Sequence, residues 1–333
     1  MNKPEPAARS STAITWRNLS KLSSRLLQAA IKGSPKAVFL GELLFILKKF
    51  SQYEDALLWL PNGEAHRCSK ALEADSYSPD QENTVSSHFQ PDSRATDRLF
   101  YFLRNRPMIP AAYFSEGGSF WTNQARSLTA YRGSLEGLDV LLDSVGPGSQ
   151  SIALIPLDLQ EDGPALLQLC AGPPALLTRE IINFFEEIGQ VLGMAFFSWR
   201  NSWTLHERVK EMSCLYSITQ VIYSPEKSWE DLLRESLVLI PPAWQYPDLA
   251  YARITFDDQV YSTPEFPEGR PKQTAEFMVN GQVRGSIQVT YSQDRPVLDE
   301  GPFLKEERKL LDTIAQELSA TMERKLLEKE KAA

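Results

Sequence analysis

Cysteine is scarce in this chain, with three residues, Cys68, Cys170 and Cys214, in 333. An odd, widely spaced set argues against a disulfide framework and fits a reducing cytosol. There is no CxxC pair, so a cysteine-built zinc site is not expected. Histidine is equally rare, at His66, His88 and His206. No stretch approaches the ~20 apolar residues that span a bilayer. GxGxxG, GKS or GKT, and GxSxG are all missing, which argues against the common phosphate loops and the hydrolase elbow. An excess of positive charge is missing too. The 35 Lys and Arg stand against 43 Asp and Glu, a net charge of -8, so there is no overall footprint for nucleic acid.

What is present is a globular composition, 42% hydrophobic and 23% charged, in a chain long enough for two ordinary domains. Its organising stretch runs from Arg179 to Tyr223. Ile181, Phe185, Ile188, Leu192, Ala195 and Trp199 alternate spacings of four and three, a heptad seam on a helix. A second seam follows at Leu205, Val209, Met212 and Tyr216, out of phase with the first across Trp199 and Leu205. Thr204 and Glu207 have capping-box spacing at this slip. The pattern predicts one long helix with a defect or two helices nearly end to end.

Residues 1–36 hold seven Lys or Arg and a single acid, Glu5, and place Trp16, Leu19, Leu22, Leu26 and Ala30 on one helical face. A helix docked on its own protein is expected there. Contact of residues 10–32 with a membrane surface, or a targeting role, is the competing reading. A second apolar helix follows from about Ala37 to Phe50, then a strand over Asp55–Leu60 and a hairpin partner over Ala65–Leu72. Residues 73–98 are polar and aperiodic, which predicts a loop. Asp97–Asn105 reads as a short helix, and Leu135–Val145 is a further helical candidate. SIALIPL (151–157) and ALLQLCA (165–171) read as antiparallel central strands, and Thr178 can cap the long helix. The second half repeats the plan in shorter form. Ser228 caps a helix, AYARITF (250–256) is a strand, and Asn280-Gly281 joins the clearest hairpin as a type I′ turn. A final helix spans about Phe303–Lys329, with Leu311, Ile314, Leu318 and Met322 in heptad spacing.

Twice, then, the order is helix, strand hairpin, variable middle, strand hairpin, heptad helix. This resembles a tandem pair of GAF domains, architecturally over 37–200 and more specifically over 206–328. There HERVKEMSCLYSITQVIYSPEKSWEDLL and DEGPFLKEERKLLDTIAQEL are similar to the cytoplasmic sensory segments of bacterial and archaeal histidine kinases. Phe120-Trp121-Thr122-Asn123, followed by SIALIPL and ALLQLCAG, is similar to ordinary GAF sensor domains. The resemblance implies an α+β fold with two GAF-like domains. Each would be a six-stranded antiparallel sheet with helices on its back, a ligand on the other face, and dimerisation through the terminal helices. The boundaries are 1–36 for the basic segment, 37–200 for the first domain and 201–333 for the second. The residue pattern of cyclic-nucleotide GAF domains is not recognisable, and no kinase follows.

For a small ligand, the expected residues are Trp59, Tyr113, Phe120, Trp121, Asn123 and Arg126, as floor and lid over the first sheet. A packed core with a surface loop is the competing reading. His66 and Cys68 share a strand face and could be two metal or haem ligands, too few to specify a site. Cys170 reads as a buried small hydrophobe, and Cys214 as helix packing rather than a redox thiol. The pocket is expected in the first domain. About 75 residues lie between Leu72 and Ser151 there, against about ten between Thr263 and Gln273 in the second. The expected function is a non-catalytic, cytoplasmic signal sensor with a small-molecule or redox input in the first domain, relayed through helices to a partner, such as a histidine kinase or other signalling protein, or to a downstream output domain. The cofactor is unknown. The alternatives are a thiol-dependent small-molecule reductase and a ligand-free dimerisation scaffold. A parallel homodimer is expected, with its seam at Ile181, Phe185, Ile188, Leu192, Trp199, Leu311, Ile314 and Leu318, because Phe196, Phe197, Trp199 and Trp203 would otherwise leave an exposed aromatic patch.

Overall fold

The structure, a computed structural model, describes residues 16–51, 53, 55–61, 65–68, 92–105, 110–145, 148–160, 163–172, 176–224, 226–257, 259–295 and 298–332. The expected loop over 73–98 lies largely outside this set, as does the start of the basic segment. The chain divides into two compact units, Met1–Trp203 and Thr204–Ala333.

The first unit is built on five antiparallel strands in the order β2-β1-β5-β4-β3. These are β1 (Asp55–Trp59), β2 (Ala65–Cys68), β3 (Phe120–Thr122), β4 (Ser151–Asp158) and β5 (Pro164–Ala171). The central strands β4 and β5 are almost continuously apolar because both faces of the sheet are covered. Ala153, Ile155, Leu167 and Leu169 face a core shared with helices α1 (Trp16–Ile31), α2 (Lys36–Ser51) and α5 (Arg179–Ile222). Ile152, Leu154, Leu166 and Cys170 face a second core under α3 (Ala95–Arg104), α4 (Leu138–Ser144) and a 3-10 segment, Ala125–Tyr131. Strand alternation sends neighbouring residues to opposite sides. A solvated face would have needed a polar residue at every second position.

The amphipathic face of α1 is used by its own protein: Leu22, Leu26, Ala29 and Ala30 are buried in the first core. The middle of α2, residues 39–41 and 43–47, is apolar on nearly every side because it is enclosed, while Lys36 and Lys49 at its ends are exposed. Phe39 of α2 stacks on Trp199 at 5.0 Å between ring centroids and meets Phe196 edge-on at 5.3 Å. The Trp199 Nε1–H donates to the Ser34 carbonyl at 2.8 Å, so the polar end of this buried ring is satisfied.

Helix α5 is one continuous helix of 44 residues, capped by the Thr178 hydroxyl, which accepts from Ile181 N–H. No new cap forms at the slip, where Glu207 pairs with Lys210 at 3.0 Å instead. The residues of the expected dimer seam are covered within their own units, Ile181 in part. Phe185, Ile188, Leu192, Ala195 and Trp199 are buried in the first unit's own core, and Leu311, Ile314 and Leu318 in the second unit's. A helix laid on a sheet needs the same spacing as one laid on a partner helix, so periodicity alone does not name the partner. The expected aromatic patch is mostly covered: Phe196 and Trp199 are buried, Trp203 packs partly against the core, and Phe197 is exposed.

The second unit has four antiparallel strands in the order β7-β6-β9-β8: β6 (Ala250–Phe256), β7 (Gln259–Ser262), β8 (Lys272–Val279) and β9 (Gln282–Tyr291). Burial alternates strictly along β6 and β8, so this sheet buries one face. That face packs on α6 (Trp229–Leu239), α7 (Lys305–Ala332) and the last turns of α5. Ser228 caps α6 by accepting from Asp231 N–H. Asn280 and Gly281 both have positive φ, 53° and 74°, as a type I′ turn requires. The free edge of β8 is covered by α7, where Ser319 and Glu323 accept from the Met278 and Asn280 N–H groups and Arg308 donates to the Thr274 carbonyl. This removes an exposed pairing edge.

The architecture is therefore mixed helix and antiparallel sheet, an α+β arrangement. Neither sheet reaches the six strands that the family resemblance implies among the described residues. In the second unit, Pro264, Pro267 and Pro271 sit in the 263–271 connection, which folds as turns rather than as a further strand.

Candidate functional site

The face of the first sheet under α3 and α4 is where the sequence places a ligand. Its centre is a closed polar network inside an apolar core. The Trp59 Nε1–H donates to Gln168 Oε1 at 2.9 Å. Gln168 Nε2 donates to Ser144 Oγ at 2.9 Å and to Cys170 Sγ at 3.3 Å, and Ser144 Oγ donates to the Leu141 carbonyl at 2.6 Å. Every hydrogen of the Gln168 amide is used, which is what allows a fully buried amide in this core. Arg67 on β2 donates to the Ser144 carbonyl at the end of α4 and lies 3.8 Å from Asp55. A guanidinium at a helix C-terminus is favoured by the helix dipole.

The six expected ligand residues do not converge on one spot. Trp59 and Phe120 are fully buried on this face, and Tyr113 packs at its margin, 6.1 Å from the Phe120 ring. Trp121 goes to the other side of the sheet, partly buried against the core of α1, α2 and α5, because it alternates with Phe120 along β3. Asn123 faces the start of α5. Its Nδ2 donates to the Leu177 carbonyl at 2.9 Å, and its Oδ1 accepts from Leu177 N–H at 2.8 Å. Arg126 is exposed on the 3-10 segment.

What the sequence reading missed is a second polar cluster that ties β3 to α5. Ser115 and Ser119 hydroxyls both donate to Glu186 Oε1, the latter at 2.6 Å, and Ser119 N–H donates to Ser115 Oγ. Gly117 permits this approach: a Cβ there would lie 2.5 Å from the Glu186 carboxyl. Arg179 pairs with Glu116 at 2.9 Å on the surface. So residues 115–123 contact the covered face through Phe120, α5 through Ser115 and Ser119, and the backbone leading into α5 through Asn123. The signals were present as a lone amide in ALLQLCA and a paired glycine between serines, but neither has a spacing rule that points to its partner.

His66 is half-buried on β2, and the side chain of Cys68 lies outside the described residues. Among the described residues no group of three or more His, Cys, Asp or Glu is arranged to hold a metal. Cys170 is buried in the network above. Cys214 is buried in the second core with its Sγ 3.4 Å from the Leu239 carbonyl, and burial pushes its thiol up to about 12. At neutral pH such a group is a thiol, not a nucleophilic thiolate.

In the second unit the Glu307 carboxylate is buried. Glu307 accepts from Gln245 N–H at 2.7 Å, Tyr291 O–H at 2.9 Å and Leu304 N–H at 2.7 Å. Burial raises its pKa, and the three donors only partly oppose this. Burial raises the Tyr291 hydroxyl as well, with the Glu307 charge adding to the effect. These bonds join α7, β9 and the 241–246 turn, which is structural work.

No protein-family model matches the sequence, and comparison with curated proteins returns no match. Among solved structures, the chain is similar to the bacteriophytochrome RpBphP3 from the photosynthetic bacterium R. palustris. The match covers 94% of this chain and 77% of that one, at 10% sequence identity and a TM-score of 0.47. A likeness this distant carries no functional argument.

Proposed function

We propose that the chain is a non-catalytic, cytoplasmic signal-sensing protein of tandem GAF type, in which a small molecule acts on the α3–α4 face of the first unit. The change passes along residues 115–123 to α5, and from there to a histidine kinase or other signalling partner. One observation carries the reading. The 115–123 segment is bonded to α5 at Glu186 and, through Asn123, to Leu177 just before it, while Phe120, in the same segment, sits in the core of the covered face. A shift on that face has to move a strand that α5 is tied to. The sequence resemblance of residues 206–328 to kinase sensory segments supports the choice of partner. The raised Cys214 thiol and the buried Cys170 weigh against the reductase alternative.

A second reading, a ligand-free scaffold, is favoured by the closed Trp59–Gln168–Ser144 network, which fills its face with the protein's own side chains. Native mass spectrometry and an absorption spectrum of freshly purified protein separate the two. The sensor reading expects an added mass that leaves on denaturation, or, for haem, a Soret band. The bare chain mass of 37.6 kDa per subunit and no visible absorption would favour the scaffold.

A further inference from the structure

Positive charge is concentrated at one end of an acidic sequence. Residues 1–41 hold seven Lys or Arg and one acid, Glu5, while residues 42–333 hold 28 Lys or Arg against 42 acids. Helix α1 shows where part of that charge goes. Leu22, Leu26, Ala29 and Ala30 bury one side of it in the first core. The side left to solvent carries Lys21 and Arg25, one turn apart, and the helix holds no acid along its length. Lys32 follows at its end and pairs with Glu42, and the exposed Lys36 opens α2. Ile31, beside Lys32, is 62% exposed. A helix face that meets only water has no reason to keep one sign of charge. Helix α7 of the same chain mixes Lys and Arg with Asp and Glu throughout.

We infer that the basic face of α1 is a docking surface for an anionic lipid bilayer. The apolar side of α1 is taken up by the protein's own core, so the helix does not lie within the interface as an amphipathic anchor does. What it presents to a bilayer is a row of cations, and the contact is electrostatic and peripheral. Anionic headgroups match that row in sign, and each Lys or Arg held near such a surface strengthens binding about fivefold. Single-stranded nucleic acid is matched less well. Its binding surfaces pair cations with rings on which bases stack, whereas the exposed side chains between Lys21 and Lys32 are Ser24, Arg25, Gln28 and Ile31. An exposed Ile among cations suits a headgroup layer with acyl chains beneath it. The surface belongs to the first unit alone, and it acts whether or not that unit binds a ligand.

The test is vesicle sedimentation of the full chain. Vesicles of phosphatidylcholine and phosphatidylglycerol in equal parts should carry the protein down, and vesicles of phosphatidylcholine alone should not. Raising the salt from about 0.1 M to about 1 M shortens the Debye length from about 10 Å to about 3 Å and should release it. Lys21→Gln plus Arg25→Gln should weaken binding roughly 25-fold and keep the parent's thermal melt, because both side chains are exposed. Failure to bind the anionic vesicles, equal binding to both kinds, binding that survives the salt, or a glutamine pair that binds like the parent would each overturn the inference. So would capture by polyglutamate or RNA without vesicle binding, which would give the face to an acidic protein or a nucleic acid. If the glutamine pair fails to fold, Ser24→Glu on the same exposed face decides: weaker binding to the anionic vesicles supports the surface, and unchanged binding rejects it.

Discussion

Asn123 and Leu177 exchange two hydrogen bonds, amide to carbonyl at 2.9 Å and N–H to amide oxygen at 2.8 Å, so one side chain acts as a strand partner for the backbone that leads into α5. Asn123→Ala leaves both Leu177 groups without that partner. A loss of about 1–3 kcal/mol is expected, the usual cost of stranding partly buried polar groups. Urea unfolding of parent and variant measures it, and an unchanged midpoint would mean water replaces the side chain freely.

Gly117 and Glu186 form the companion contact. Gly117→Ala puts a methyl group where the Glu186 carboxyl lies, so the carboxyl must shift and loosen its serine bonds, at an expected cost of about 0.5–1.5 kcal/mol. The same change in a Glu186→Ala background should cost less, because the obstructing group is gone. A double-mutant cycle reads the difference, and strict additivity would show that the two residues do not meet.

Much of the fold was legible in the sequence. The β4–β5 pair, the Asn280-Gly281 hairpin and the Ser228 cap follow from local rules, namely short apolar runs, turn chemistry and caps, whereas the heptad spacing left α5 open between one helix and two. The partner of each apolar stripe was not legible. Ile188 and Leu192 have the spacing of a coiled coil, yet they pack on their own sheet, while Leu205 and Met212, with the same spacing, face solvent. Periodicity reports which side of a helix is apolar and not what covers it. The candidate site was partly legible. Trp59, Tyr113 and Phe120 share one face, but the two-residue strand period sends Trp121 away. Gln168 and Glu186 could not be found, because their partners lie 109 and 67 residues away in sequence for Trp59–Gln168 and Ser119–Glu186.

Leu192→Glu now has an expected outcome that differs from simple dissociation of a dimer. Leu192 is wholly buried in the first core, so the change removes packing and buries an unpaired charge. Such changes exceed about 4 kcal/mol, a large part of a domain's stability. Circular dichroism and thermal melting should show loss of the first unit's cooperative transition. A folded monomer with a parent-like melt would instead return Leu192 to an interface.

Glu307 predicts a pH dependence. Its folded pKa is raised above the ordinary value of 4.5 by burial, with Glu207 adding a smaller repulsion. The folded state therefore holds this proton more tightly than the unfolded chain does. The group's contribution is fully present below pH 4.5 and is lost as pH rises through the folded value. Glu307→Gln cannot titrate, so the stability of the parent minus that of the variant should fall as pH is raised from about 4, then level off. Parallel urea-unfolding profiles across that range would contradict the raised value.

In the sensor we propose, the covered face of the first unit and α5 are coupled through residues 115–123. Hydrogen exchange with mass spectrometry on Tyr113→Ala tests it most directly. Tyr113 lies at the margin of the covered face, packed on Phe120. Faster exchange is expected in peptides covering 115–123 and the first turns of α5, at 179–200, with the strands of the second unit unchanged. Faster exchange confined to α3, α4 and the 110–114 turn, with α5 as protected as in the parent, would contradict it.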